Sequence, residues 1–412
     1  MKRAIALVAA SLSAAAFLAC GKDPVEQGDD PQLTLSADSV TVDVGVSASV
    51  TATVLNASEP AQFVSRDPGV ATVDASGAIR GVAIGSTYVV ATLSNHADVR
   101  DSVRVRVLAP GSTPVAGQWG LRAPLIEPNS ELAFAESNGK LYLLGGYPAS
   151  RVTARTVQVY DVASDRWELG PPLPQPNNHG MAASVNGKVY LIGGQTSDVS
   201  DQGYQDTVYE LDPATGVWVT KAPMPTARGA GVAIVHDGKI YVAGGRPPRG
   251  SDFAVYDPAT DRWEVLPELP SQRNHITGAA INGRIHVVGG RLGHGLSPDM
   301  TAVHEVYDPQ TRTWTTAAPM LRARSGMNGV MARGCFHVWG GEGPAGMFPD
   351  HDYYDPRTNQ WSPLSGMPTP VHGVYGSAYV SGLIWVPGGG TNIGGNHGSH
   401  QHQVYRPAVS CE

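Results

Sequence analysis

The amino-acid sequence predicts an all-β protein in two parts, a small sandwich followed by a ring of six four-stranded units. Three observations carry that prediction. Forty-nine glycines and 32 prolines beside only 16 % charged residues describe short strands and many turns. Residues 32–108 alternate apolar and polar positions, the period of half-buried strands. From residue 117 onward one pattern returns six times: an apolar strand, Gly-Gly, a loop, Tyr-Asp or its equivalent, a turn and a tryptophan.

Lys2 and Arg3 precede an apolar run over 4–19, the size of a secretory h-region and short for a bilayer span. The run ends in Phe17-Leu18-Ala19-Cys20-Gly21, which resembles a bacterial lipobox, with Phe17 where that family usually has leucine. The resemblance implies a signal peptide over 1–20 with Cys20 as the lipidation site. Because Gly21 is not aspartate, it also implies an outer-membrane lipoprotein of the cell envelope, periplasmic or surface-exposed and held to the membrane by its lipid. An ordinary signal peptide with a stray cysteine is the alternative. Residues 21–31, with Asp23, Glu26, Asp29 and Asp30, read as a solvated tether.

In the sandwich, strands are legible at Val40-Val42-Val44, Val50-Ala52-Val54, Phe63, 70–73, 88–92 and 103–107. The phrase Ser65-Arg66-Asp67-Pro68-Gly69-Val70-Ala71-Thr72-Val73-Asp74, followed by Gly77-Ala78-Ile79-Arg80-Gly81, resembles a bacterial immunoglobulin-like (Ig-like) domain of group 2 (Big2). Phe63 stands where such domains often have tryptophan. The resemblance implies a spacer or adhesion module with no chemistry of its own. Residues 109–116 form a linker.

Over 117–410 the Gly-Gly pairs begin at 145, 193, 244, 289, 340 and 388, and a tryptophan precedes them by 26 residues in five cases and 27 in the last. Only the interval from Gly-Gly to the next Tyr-Asp position varies, between 12 and 18 residues. These motifs resemble the kelch repeat, which implies a six-bladed kelch β-propeller of strands a to d per blade. Trp119 has no blade before it, and the last c strand has no tryptophan after it. The segment at Trp119 is therefore expected to supply strand d of the last blade and close the ring.

Strand alternation places the uniform a–b and c–d turns on one face and the variable b–c loops with the d–a connections on the other, where function is expected. Sixteen residues before each Gly-Gly stand Asn129, Asn177, Arg228, Arg273, Arg324 and His372. They are candidate ligand-binding residues at the channel mouth, the arginine forks suiting a carboxylate or sugar acid; kelch arginines at this place also serve structurally. His397, His400 and His402 are weak metal candidates, since no further ligand is fixed by spacing, and no cofactor is expected. The tyrosines, histidines and tryptophan three before each Gly-Gly, and the repeat tryptophans, read as packing residues. Cys335 and Cys411 either pair in an oxidising envelope or remain separate thiols.

Net charge is −7 and no basic run exists, so nucleic acid is not a partner. Nucleophile-elbow, His-Glu-x-x-His, phosphate-loop and dinucleotide motifs are missing from the sequence. The expectation is accordingly a non-catalytic binding or adhesion protein whose loop face takes a glycan or a protein. The alternative is a sugar-acting envelope enzyme similar to the kelch mutarotases that act on sialic acid, with Glu131, His179, His275 or His372 as acid–base candidates. A third reading is a purely structural envelope protein.

Overall fold

The computed structural model describes residues 30–108, 114–199, 202–246, 250–293, 299–394 and 396–412. The signal peptide, Cys20 and most of the tether lie outside the described residues. No helix of the described residues is long and apolar enough to cross a membrane.

The first domain is a sandwich. Its main sheet orders Ser39–Asp43, Arg100–Leu108, Gly85–Leu93 and Ala61–Ser65, the first pair parallel and the rest antiparallel. Ser47–Ser49, Ala78–Gly81 and Ala71–Val73 form the facing sheet. Alternation along Arg100–Leu108 points Val103, Val105 and Val107 inward, where they join Val42, Val50, Ile79 and Val89 in the core. Each fully buried valine or isoleucine contributes about 1.5–3 kcal/mol. Phe63 packs against this core from a half-buried position.

Six four-stranded antiparallel arrays follow. The second is representative, ordering Met181–Val185, Lys188–Ile192, Val208–Asp212 and Val217–Lys221 from axis to rim. All six a–b turns have positive φ at both central residues, including Arg333-Gly334 and Ser381-Gly382. That is the twist a two-residue hairpin needs, and Asn or Asp before glycine adopts it most readily. Neighbouring a strands touch around the axis. Apolar side chains fill the seams between blades: Leu144 and Val157 of blade 1 meet Leu191, Leu211 and Trp218 of blade 2.

The repeat tryptophans are fasteners. Trp119, Trp167, Trp218, Trp263, Trp314 and Trp361 each donate the indole N–H to a backbone carbonyl, at 2.8–3.1 Å. Trp119–Leu121 pairs antiparallel with His402–Tyr405, so the last blade takes its outer strand from the start of the propeller. Cys335 and Cys411 form a disulfide, which pins the C-terminal tail onto the b strand of blade 5, Cys335–Trp339.

Blade 6 departs from the repeat at its inner strand. Only Ala378–Val380 pairs with Leu383–Pro387, while Val374–Tyr375 leaves the blade and runs parallel to Leu132–Ser137 of blade 1. The extra residue implied by the 27-residue spacing is absorbed here. Gly376, at φ 134°, makes the switch possible, because a Cβ there would lie 1.7 Å from the Phe134 carbonyl oxygen.

Candidate functional site

Where each a strand begins, six residues converge on the axis: Glu131, His179, Ala230, His275, Gly326 and Gly373. All have positive φ, between 50° and 69°. Their backbones form a closed belt, in which each N–H donates to the carbonyl of the preceding blade, from His179 to Glu131 at 2.9 Å through Gly373 to Gly326 at 3.1 Å. Leu132 N–H to Gly373 closes it at 3.2 Å. A non-glycine residue costs about 1 kcal/mol or more in this conformation, so the belt stores strain that the ring overcomes.

Just above the belt lies a second ring, two residues after the start of each Gly-Gly pair: Tyr147, Gln195, Arg246, Arg291, Glu342 and Gly390. Each of its members bridges to a residue next to the belt, as in Asn274 to Arg291 and His372 to Gly390. Together the rings bury a polar network. Glu131 Oε2 accepts from Tyr375 Oη at 2.6 Å and lies 3.2 Å from His179 Nε2. His372 Nε2 reaches Glu131 Oε1 at 3.3 Å and Glu342 Oε2 at 3.4 Å. Arg291 binds Glu342 through Nη1 and His275 Nε2 through Nη2, both at 2.7 Å. Beneath, the Tyr375 ring sits 5.7 Å from that of His179 and 5.9 Å from that of His275 and plugs the axis. The bore beyond it, towards the a–b turns, is a cavity of about 350 Å³ walled by residues such as Ser184, Val235, Ala280, Met331 and Tyr379.

Hydrogen bonds assign the protons. His372 faces acceptors on both sides, with Nδ1 3.1 Å from the Gly390 carbonyl, so it carries two protons. Burial lowers its pKa, but the bond to Glu131 and the charge of Glu342 outweigh burial and raise it. His179 and His275 each direct Nδ1 at an asparagine oxygen, Asn178 at 2.5 Å and Asn274 at 2.6 Å. His275 Nε2 then accepts from Arg291, whereas His179 Nε2 faces the Glu131 carboxylate and its protonation is decided by the charges around it. Burial and the nearby Arg246 and Arg291 hold His179 down at about 3 despite Glu131, and hold His275 well below its usual value. Burial raises the Glu131 carboxyl, yet His179, His372 and Tyr375 more than reverse this and leave it well below the ordinary carboxylate range. A protonated imidazole therefore stands on one side of a carboxylate and a neutral one on the other. His179 is also the accessible corner, with 9 % of its side chain exposed.

Glu131, His179 and His275 also place one ligand atom each within 4.8 Å of one another, the spacing of a metal site. The donor set does not fit a cation. Arg291 already holds the third lone pair, and Arg246 and protonated His372 add positive charge.

Of the residues expected at the mouth, only His372 reaches the axis. Arg228, Arg273 and Arg324 are at most 1 % exposed and turn outward across their own blades. Their guanidiniums donate to the Val242, Val287 and Val338 carbonyls and pair with Asp252, Glu305 and Asp352. Asn129 and Asn177 donate to the carbonyls of Gly145 and Gly193 in the same way. These five serve as fasteners within their own blades. His397, His400 and His402 do not converge: they meet Asn392, the Leu125 carbonyl and an aromatic cage of Tyr160, Trp167 and Trp385 respectively. Glu131, His179 and His275 were legible as acid–base candidates. Tyr375, Arg246, Arg291 and Glu342 were not, although the last three stand at one fixed repeat position.

Comparisons with known proteins agree with this architecture. Residues 31–103 match the bacterial Ig-like domain (group 2), residues 122–290 the KLHDC2/KLHL20/DRC7 kelch-repeats domain, and residues 272–321 the kelch motif. Kelch-like protein 36 of Mus musculus is 44 % identical over 55 residues, 13 % of this chain and 9 % of that protein. Kelch-like protein 35 of Mus musculus is 31 % identical over 137 residues, 33 % of this chain and 22 % of that protein. The chain thus spans a minor part of these relatives' length. The solved structure of YjhT superposes with a TM-score of 0.57 at 18 % identity, covering 68 % of this chain and 96 % of that one, a likeness of fold. The protein carries a Big2-like immunoglobulin domain followed by a kelch-repeat β-propeller.

Proposed function

We propose that the propeller is a sugar-acting enzyme that interconverts the anomers of an acidic reducing sugar, the reading in which it is similar to kelch mutarotases. One observation carries this: the Nε2 atoms of His372 and His179 stand on either side of the Glu131 carboxylate at 3.3 and 3.2 Å, and we assign the first as proton donor and the second as proton acceptor. Ring opening needs that pair. The acceptor removes the proton of the anomeric hydroxyl while the donor protonates the ring oxygen. The carbon–oxygen ring bond breaks and a carbonyl forms, and reclosure on the other face reverses both transfers. Arg246 and Arg291 supply charge suited to the sugar's carboxylate. Anchored by Cys20 in the outer membrane, the enzyme would meet sugars in the envelope.

The test is exchange NMR on a panel of acidic and neutral reducing sugars with the intact protein. Acceleration of anomer exchange for an acidic sugar supports the proposal, and uncatalysed rates across the panel overturn it. The second reading, a glycan- or protein-binding module, draws on the Ig-like domain joined to the propeller. Saturable glycan binding without any effect on anomer exchange would favour it.

A further inference from the structure

Three of the six seams between blades are built around histidine. The first residue of each c strand faces the aromatic pair, or its equivalent, of the following blade. In blades 1, 2 and 3 that residue is Val157, Val208 or Phe253. Phe253 lies 4.9 Å from Tyr307 and 5.0 Å from Trp314, centroid to centroid. In blades 4, 5 and 6 it is His304, His351 or His402, each 1 % exposed. His304 sits 4.7 Å from Tyr354, His351 4.4 Å from Tyr405 and His402 4.5 Å from Tyr160, all edge-on.

A second position changes in step. Three residues before Gly-Gly stand Tyr142, Tyr190 and Tyr241 in the first three blades, then His286, His337 and Trp385. Two imidazole pairs result, His286 Nδ1 to His304 Nε2 at 2.8 Å and His337 Nδ1 to His351 Nε2 at 3.1 Å. Each pair holds together by one nitrogen donating to the other's lone pair, which a second proton removes.

The surroundings offer that proton no counter-charge. Arg273 and Arg284 act on the first pair, Arg324 on the second and Arg122 on His402, and all four are cations. Tyr353, Tyr354, Tyr405 and Tyr160 contribute neutral phenols. Glu305 and Asp352, next in sequence to His304 and His351, are held by Arg273 and Arg324. Among the described residues no carboxylate pairs with any of the five imidazoles.

We propose that the seams between blades 4 and 5, 5 and 6, and 6 and 1 form an acid-released fastening, which lets blades 4 to 6 separate on proton uptake while blades 1 to 3 hold. Burial keeps His286 and His402 at about 3 and His304 and His337 at about 4, and pushes His351 well below its usual value. In the opened state these imidazoles return to about 6.5. The open state then binds more protons, so the fastening is complete above about pH 6.5 and weakens as pH falls towards 4. Each histidine adds up to about tenfold per pH unit to the opening equilibrium. Blade 6 holds the closing strand, and the axial belt crosses from blade 6 to blade 1 at Gly373 and Leu132, so acid acts on both the ring joint and the site beside it.

Hydrogen exchange of the full chain at pH 8 and pH 5, corrected for intrinsic rates, tests this. Strands of blades 4 to 6 should exchange at least about tenfold faster at pH 5 while those of blades 2 and 3 do not change; a uniform response, or none, overturns the proposal. Transplanting the chain's own blade-3 pair, as His286→Tyr with His304→Phe, removes two of the imidazoles. The pH dependence of unfolding should then lose about two protons of uptake, and an unchanged slope also overturns the proposal. If the variant fails to fold, the wild-type exchange pattern still decides.

Discussion

Replacing Arg324 by methionine should loosen blade 5 without touching the axial site. Arg324 is fully buried, and its Nη2 binds Asp352 Oδ2 at 2.9 Å and the Val338 carbonyl at 3.3 Å. Burial already raises the Asp352 carboxyl despite this partner. Arg324→Met leaves that carboxylate 3 % exposed and uncompensated, a loss of about 3–5 kcal/mol. Unfolding entropy near 2.1 cal/mol/K per residue over the roughly 290 residues of the propeller converts this into a fall in Tm of about 5–8 °C. Arg324→Met with Asp352→Leu replaces the pair by apolar contacts and should recover to within about 1 kcal/mol of the wild type. Calorimetry and urea denaturation of both single variants and the double variant give the coupling energy. A single variant within 1 °C or so of wild type, or a double variant no better than the single, would refute the fastener role.

Three further outcomes follow from the same geometry. Cys335→Ser with Cys411→Ser opens a link between residues 76 apart; it should cost about 4.5 kcal/mol by the chain-entropy relation, with reduced wild type matching the variant in denaturation. Gly376→Ala forces a Cβ against the Phe134 carbonyl, so Tm should fall and anomer exchange should weaken as Tyr375 loses its seat under Glu131. In the proposed anomer exchange His372 serves as the donor, and because its pKa is raised its acid form persists below that raised value. The exchange rate should decline as pH rises through it, and His372→Asn should give a low rate without that alkaline limb.

The blades were legible because their signals are local. An a–b turn is decided by two residues and a seam by one tryptophan at fixed spacing, so register and ring closure at Trp119 could be counted from the chain. The site was harder, because its geometry depends on where a strand begins. Counting sixteen back from Gly-Gly selects Arg228, Arg273 and Arg324, whose backbone turns them into their own blades. Two residues later the positive-φ belt turns Glu131, His179 and His275 onto the axis. His372 reaches the same network because blade 6 carries one extra residue, visible beforehand only as 27 in place of 26. Tyr375 arrives through a parallel pairing with blade 1, more than two hundred residues away, and no local pattern announces that.

In the proposed function, proton transfer around Glu131 interconverts the anomers. Anomer exchange of an acidic reducing sugar, followed by NMR with wild type and Glu131→Gln at equal concentration and matched folded fraction, tests it most directly. Wild type should accelerate the exchange and the variant should lose about a hundredfold or more, with Tm still showing a folded propeller. Equal acceleration by the two proteins would contradict it.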